Sequence, residues 1–201
     1  CETNIWDYLA SMSQSRVGFG MTTLNGRIYV AGGLDSSLGK LSTVMRYSPE
    51  QNKWIMFQEM NEPRVSHELV TLNGEIYAIG GRDTKTVERY SFLMKDWIYV
   101  ASTNHEHAQF GATTHQNKIY VLSNRGFEVY HPESNIWQDL PPLNVKLTRV
   151  QLVFMNDRLL SIGGREAPNL VFEFDIGNNS WIRLQDMNTL PNYHRIVRVN
   201  F

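Results

Sequence analysis

Arg82, Arg125 and Arg165 are the residues of this chain best placed by type and spacing to do recognition chemistry. Each directly follows one copy of a recurring eight-residue stretch: GEIYAIGG (74–81), NKIYVLSN (117–124) and DRLLSIGG (157–164). The first copy, GRIYVAGG (26–33), is followed by Leu34 instead. A guanidinium carries a planar fork of donors that matches carboxylate or phosphate bidentately. Three of them at equivalent repeat positions would form a basic ring suited to an acidic group. Asp83 and Glu166 follow two of these arginines directly, and Asp35 follows Leu34. Those carboxylates would neutralise the ring and leave ordinary solvated loops, since exposed ion pairs contribute little.

Other chemistries fit less well. His105-x-His107 puts two imidazoles on alternate residues, but two ligands are too few for zinc and no nearby Cys or carboxylate pattern completes the set. Cys1 is terminal, and no G-x-S-x-G nucleophile motif occurs. The diglycines follow extended stretches and open no helix, so they are not phosphate loops. No metal, cofactor or catalytic residue is expected. The five tryptophans recur at the repeat period and read as core.

The composition bounds the class. Net charge is -1 and pI about 6.7, which gives no bulk attraction to nucleic acid or an anionic membrane. No apolar run approaches the roughly 18 residues of a transmembrane helix. One cysteine excludes an internal disulfide and suits a reducing, cytoplasmic setting. The N-terminus lacks a signal-peptide pattern and an initiator Met and starts inside a repeat, so the chain reads as an excerpt of a longer protein. The tripeptide Asn178-Asn179-Ser180 matches a glycosylation sequon, a short motif that arises often by chance.

The elements that must position the arginines are read from the repeat. Trp6, Trp54, Trp97, Trp137 and Trp181 are spaced by 48, 43, 40 and 44 residues. Tyr47, Tyr90, Tyr130 and Phe174 stand seven residues before the last four. The clearest unit predicts four short strands, at 67–72, 76–79, 86–90 and 97–100. Asn25-Gly26 and Asn73-Gly74 predict two-residue hairpins. The second strand is almost wholly apolar, which suits a sheet covered on both faces. Pro63, Pro141 and Pro142 fall between units, where no ladder bond is lost. Four-stranded sheets of this kind bury both faces by stacking around an axis, as a β-propeller. The diglycine is expected to give room where the chain leaves the second strand under a neighbouring aromatic ring, and each buried indole N–H needs an acceptor.

Diglycine after an IYV-type strand, then Tyr, then Trp seven residues on, resembles the kelch repeat over essentially the whole chain. Pro63-Arg64, VERY (87–90) and NKW (52–54) are similar to repeats of BTB–kelch proteins in particular. The resemblance implies an all-β kelch propeller. Residues 1–9 would be the outer strand of a preceding blade, 10–57, 58–100, 101–140 and 141–184 four full repeats, and 185–201 the inner strand of a further blade. The family usually closes six blades, so part of the ring would lie outside this sequence. By the same resemblance, partner contacts come from the post-diglycine loops and from the second position after the Pro-Arg turn. Those second positions are Gly18, Ser66, Gln109 and Arg149, with His194 in the incomplete fifth unit. The expected partner-binding set is therefore Asp35, Ser66, Arg82, Asp83, Gln109, Arg125, Arg149 and Arg165.

The third unit departs from the pattern. Ser123-Asn124 replaces the diglycine, and five residues separate Asn124 from Tyr130, against 13, eight and nine in the others. The resemblance implies a substrate-recognition module that selects a protein or peptide, an acidic one if the basic ring holds. It would reach a cullin-3 ubiquitin ligase only through BTB and BACK regions absent from these residues. The alternative is an actin-binding kelch protein. A galactose-oxidase-like enzyme shares the fold but needs a Cys–Tyr crosslink that a terminal Cys1 does not suit.

Overall fold

The computed structural model describes residues 7–187. Sixteen strands form four antiparallel four-stranded sheets, each a simple meander. Blade 1 holds β1 (Gly20–Leu24), β2 (Arg27–Ala31), β5 (Val44–Ser48) and β6 (Lys53–Phe57). A small hairpin, β3 (Leu34–Asp35) and β4 (Gly39–Lys40), projects from it. Blade 2 holds β7 (Glu68–Leu72), β8 (Glu75–Ile79), β9 (Val87–Ser91) and β10 (Asp96–Val100). Blade 3 holds β11 (Gly111–His115), β12 (Lys118–Ser123), β13 (Gly126–His131) and β14 (Ile136–Leu140). Blade 4 holds β15 (Gln151–Met155), β16 (Arg158–Ile162), β17 (Val171–Asp175) and β18 (Ser180–Arg183). The outer strand expected at 1–9 and the inner strand expected at 185–201, with His194, lie largely or wholly outside the described residues. No helix among the described residues is long and apolar enough to cross a membrane.

β7 lies against β1, β11 against β7, and β15 against β11. The first strands therefore form the inner side of an arc of propeller blades. The cores lie between blades. Tyr29, Ala31 and Val44 of blade 1 pack on Leu69, Ile76, Tyr90 and Trp97 of blade 2. Tyr77, Ile79 and Val87 of blade 2 meet Ile119, Val121 and Tyr130 of blade 3. The second strands are apolar because neighbours cover both of their faces.

The turns explain the residues that mark the repeat. Asn25-Gly26, Asn73-Gly74, Gln116-Asn117 and Asn156-Asp157 all have positive φ at both positions, the type I′ geometry of tight hairpins. Two residues before each tryptophan, Asn52, Lys95, Asn135 and Asn179 are left-handed. Asn52 Oδ1 accepts from the Tyr47 hydroxyl and the Ala10 N–H, and Asn135 Oδ1 from Tyr130 and Ala101. The indole N–H of Trp54, Trp97, Trp137 and Trp181 donates to the carbonyl of Ala10, Gln58, Ala101 and Pro141, each at 2.9 Å. Every repeat tryptophan thus pins the chain segment that enters its blade.

The diglycine answers to the backbone of the next blade's entry turn and, at Gly32, also to the His67 ring, 2.7 Å from where a Cβ would stand. A Cβ on Gly32 would stand 2.6 Å from the Arg64 carbonyl oxygen, and one on Gly80 2.8 Å from that of His107. Both glycines also have positive φ. The neighbour common to both is the backbone of the next blade's entry turn. Blade 3 needs no such glycine because β12 runs on to Ser123 and pairs it with Gly126, closing the loop as a tight hairpin.

Candidate functional site

Within each blade, the second-to-third-strand loop and the incoming turn lie at the same end. The incoming turns are joined to one another by backbone bonds. Ser66 N–H donates to Gly18 O (2.7 Å), Gln109 N–H to Ser66 O (3.0 Å), and Arg149 N–H to Gln109 O (2.6 Å). These four residues share a left-handed φ of 55–64°. One residue per blade therefore takes an unusual conformation to make one link of an inner relay. Three of the four are not glycine, so each link carries a backbone cost of roughly 1–2 kcal/mol.

The post-diglycine loops are tied to the same turns. Leu34 N–H donates to Val17 O (2.8 Å), Arg82 N–H to Val65 O (2.9 Å), and Arg165 N–H to Thr148 O (2.8 Å). Arg125 N–H donates instead to the Ser123 hydroxyl (2.9 Å). The structure thus gathers all eight expected residues on one end of the blades. A cleft of about 230 Å³ opens there between blades 2 and 3, lined by Gly81, Arg82, Asp83, Glu106, Ala108, Asn124, Arg125 and Thr148. Arg82, Asp83 and Arg125 are brought together in it. Asp35, Ser66, Gln109, Arg149 and Arg165 lie outside it.

The acidic neighbours take hydrogen-bond partners other than the arginines, though the Arg165 charge still acts on Glu166. Asp83 pairs with Lys40 from blade 1's small hairpin (3.1 Å). Glu166 accepts from the N–H (2.7 Å) and hydroxyl (2.9 Å) of Thr148. The Thr148 N–H holds the Glu166 carboxyl below its usual range. Asp35 braces its own loop, accepting from the Ser37 and Leu38 N–H groups and the Ser15 hydroxyl. The Ser37 bond chiefly lowers its pKa. Among the described residues, no carboxylate oxygen lies within ion-pair distance of Arg82, Arg125 or Arg165, and all three are exposed. Arg82 and Arg125 thus reach the face without an ion-pair partner among the described residues.

Under the face, each blade fills one buried position differently. In blade 2, Arg64 is 1 % exposed. It donates to the Gly80 and Thr86 carbonyls (2.8 Å each) and to Glu88 Oε1 (2.9 Å). Glu88 also accepts from the N–H groups of Asn61 and Glu62. In blade 3, His107 and Glu128 take these places, both fully buried and 2.7 Å apart. Glu128 accepts from the N–H groups of Asn104 and His105. Blade 1 keeps Arg16, bonded to Gly32 O and Thr43 O, with Met45 where the glutamate would stand. Blade 4 drops the polar arrangement for Leu147 and Phe172, and a cavity of about 400 Å³ lies beside its entry segment.

The sequence missed Glu106, Asn124 and Thr148 in the cleft, and it missed what surrounds the two histidines. The His105 ring meets Asp139 from β14 (3.1 Å), with Glu128 from β13 nearby. In blade 2 the equivalent contact is Tyr99 to Glu62 (3.1 Å). Glu128 is already occupied by two backbone N–H groups and His107, so this corner is a hydrogen-bonded brace. No local spacing signals it, because the partners are 23 and 34 residues away.

Comparison with known proteins agrees with this architecture. Residues 15–61 and 63–104 match the Kelch motif. The chain is 25% identical to Kelch-like protein 26 of Danio rerio, over 90% of this chain and 33% of that protein. It is 28% identical to Kelch repeat and BTB domain-containing protein 8 of Rattus norvegicus, over 51% of this chain and 18% of that protein. It is 27% identical to Kelch-like protein 11 of Homo sapiens, over 53% and 17%. The chain thus spans about a third or less of the length of these relatives. The solved structure of YjhT aligns with a TM-score of 0.78 at 14% identity, covering 94% of this chain and 76% of that one, a likeness of fold alone.

Sheets, turns and motif matches together define a kelch β-propeller. More particularly, the chain carries a kelch-repeat domain like those of BTB–kelch proteins, a class of protein-interaction domain.

Proposed function

We propose that the loop end of the blades recognises a protein or peptide with acidic side chains, and that this domain is the substrate-recognition propeller of a BTB–kelch adaptor. Contact with cullin-3 would be made by BTB and BACK regions that these residues do not include. The observation that carries the reading is the cleft between blades 2 and 3. Arg82 and Arg125 line it, and neither is neutralised by a described carboxylate. Glu106 and Asp83 on the same rim would reject a second acidic group placed badly, which adds selectivity by repulsion. The domain does no chemistry in this reading. It selects a ligand by loops from adjacent blades, with the relay of Gly18, Ser66, Gln109 and Arg149 fixing their spacing.

The test is charge reversal of Arg82 and Arg125 together, followed by affinity capture from cytoplasmic extract with quantitative mass spectrometry. The expected result is selective loss of partners that bind the parent domain, with the folded state retained. An unchanged partner set would overturn the proposal.

A further inference from the structure

Blade 3 contains a buried hydrogen-bond chain that reaches the proposed site. Arg125 N–H donates to Ser123 Oγ at 2.9 Å, Ser123 Oγ lies 2.7 Å from His107 Nδ1, and His107 Nε2 lies 2.7 Å from Glu128 Oε1. An ionised carboxylate only accepts, and Glu128 already takes two backbone N–H groups, so Nε2 must carry a hydrogen. When the ring is neutral, Nδ1 accepts from the Ser123 hydroxyl. Every donor then points the same way, from Arg125 through Ser123 and His107 to Glu128. Such chains polarise and strengthen one another.

One proton on Nδ1 reverses the middle bond. Nδ1–H then donates to Ser123 Oγ, and the hydroxyl hydrogen loses its acceptor at a site 9 % exposed. Two donors, from His107 and Arg125, converge on one oxygen. The groups facing His107 are Glu128 from β13, His105 from its own turn with rings 6.4 Å apart, and Asp139 from β14 behind His105. Blade 2 presents the backbone of Gly80 and Gly81 to it. In blade 2 the equivalent site has no such freedom. Arg64 is permanently charged, Gly80 has no hydroxyl, and Arg82 N–H donates to a backbone carbonyl.

We propose that His107 is a proton-operated positioning residue for Arg125. The neutral ring holds the short blade 3 loop at the cleft, and protonation slackens it while Arg82 stays fixed. The inference deepens the partner-binding reading by adding regulation to the same cleft, and its own test needs no partner.

The experiment is amide hydrogen exchange by NMR on the ligand-free domain at pH 7.5 and 5.5, corrected for intrinsic rates. Protection of the Arg125 amide is expected to fall by about two- to tenfold at the lower pH, the range for weakening one hydrogen bond. The Arg82 amide is expected to hold. In His107→Gln the side-chain carbonyl accepts from Ser123 and the amide donates to Glu128, so the pH response of Arg125 should vanish. Equal loss at both amides, no loss at Arg125, or an unchanged response in the variant would overturn the proposal. Should that variant not fold, imidazole nitrogen shifts of the parent decide. A His107 ring that keeps one protonation state throughout would also overturn it. A failed capture experiment with a positive result here would sink the partner reading and leave the positioning role standing.

Discussion

Blades 2 and 3 solve one problem with different chemistry. Each must hold an incoming turn whose consecutive N–H groups would otherwise be buried without acceptors. Each uses a fully buried glutamate, Glu88 or Glu128, which accepts from residues 61 and 62 or 104 and 105. The group opposite is a guanidinium in one and an imidazole in the other. The change is coordinated: the shorter His107 is met by Ser123, where blade 2 has Gly80. A hydroxyl in one blade thus fills the space that a guanidinium spans in the other. The constant element of the design is the carboxylate, and its side-chain donor is interchangeable.

The largest effect that tests this is Glu88→Ala. It removes the closer of the two carboxylates at the buried Arg64, leaving Glu62 at 3.7 Å, and strips acceptors from the Asn61 and Glu62 N–H groups. Removing one partner of a buried pair costs about 3–5 kcal/mol, so chemical denaturation should show a domain at the edge of folding. A loss under about 1 kcal/mol would mean that the carboxylate is not the keystone of the blade.

The two blades also differ in how they bury histidine. His107 has partners at both ring nitrogens. His67, 2 % exposed, stands where blade 3 has Phe110, and neither of its nitrogens has a partner among the described residues. Burial, with Arg64 nearby, pushes its pKa down to about 3. The unfolded chain therefore takes up a proton that the folded one refuses. The proton-linked penalty is small above pH 6.5 and grows as pH falls from there toward 3. At pH 5 it amounts to about 2 kcal/mol. Replacing it, His67→Phe, should flatten that part of the stability–pH curve, whatever the substitution does at pH 8. Parallel curves for parent and variant between pH 7 and 5 would show that His67 is not buried neutral.

A double-mutant cycle sharpens the comparison further. His107→Arg alone drives a longer cation against the Ser123 hydroxyl, an overpacking that costs about 1–3 kcal/mol. With Ser123→Gly added, the arginine and glycine of blade 2 stand together in blade 3, and the double variant should recover part of that loss. A coupling energy of about 1 kcal/mol is expected. Additive effects would mean that the two exchanges are unrelated.

The repeat made most of this fold legible. Tryptophan spacing, the Asn-Gly turns and the apolar second strands revealed the repeat and placed the four strands of its second unit within a residue, because these features are local and recur. The candidate face was legible to the extent that it follows the repeat. Ser66, Gln109 and Arg149 were picked out by position, and the structure gives that position a shared conformation and a shared backbone bond. Of the two readings open for the acidic neighbours, the structure turns both carboxylates to other hydrogen-bond partners, while Arg165 still acts on the charge of Glu166. A left-handed Asp83 turns its carboxylate to Lys40, 43 residues away. The exchange of Arg64 and Gly80 for His107 and Ser123 showed as two separate irregularities, since the bond joining them spans 16 residues and two elements.

The smallest effect separates the face from the frame beneath it. Arg82 and Arg125 are exposed and make no described ion pair, and their structural duty is carried by backbone N–H groups that a side-chain change leaves in place. Arg82→Glu and Arg125→Glu should therefore change stability by no more than about 0.5 kcal/mol each, as for surface sites without specific contacts. Asp83 gives the expectation a sign. A glutamate at 82 would crowd the carboxylate held by Lys40, so Arg82→Glu should be slightly the worse of the two and more sensitive to salt, which screens exposed charges. A loss of more than about 1.5 kcal/mol in either variant would place that arginine in the frame, and loss of partner binding in the same variant could then not be read as recognition.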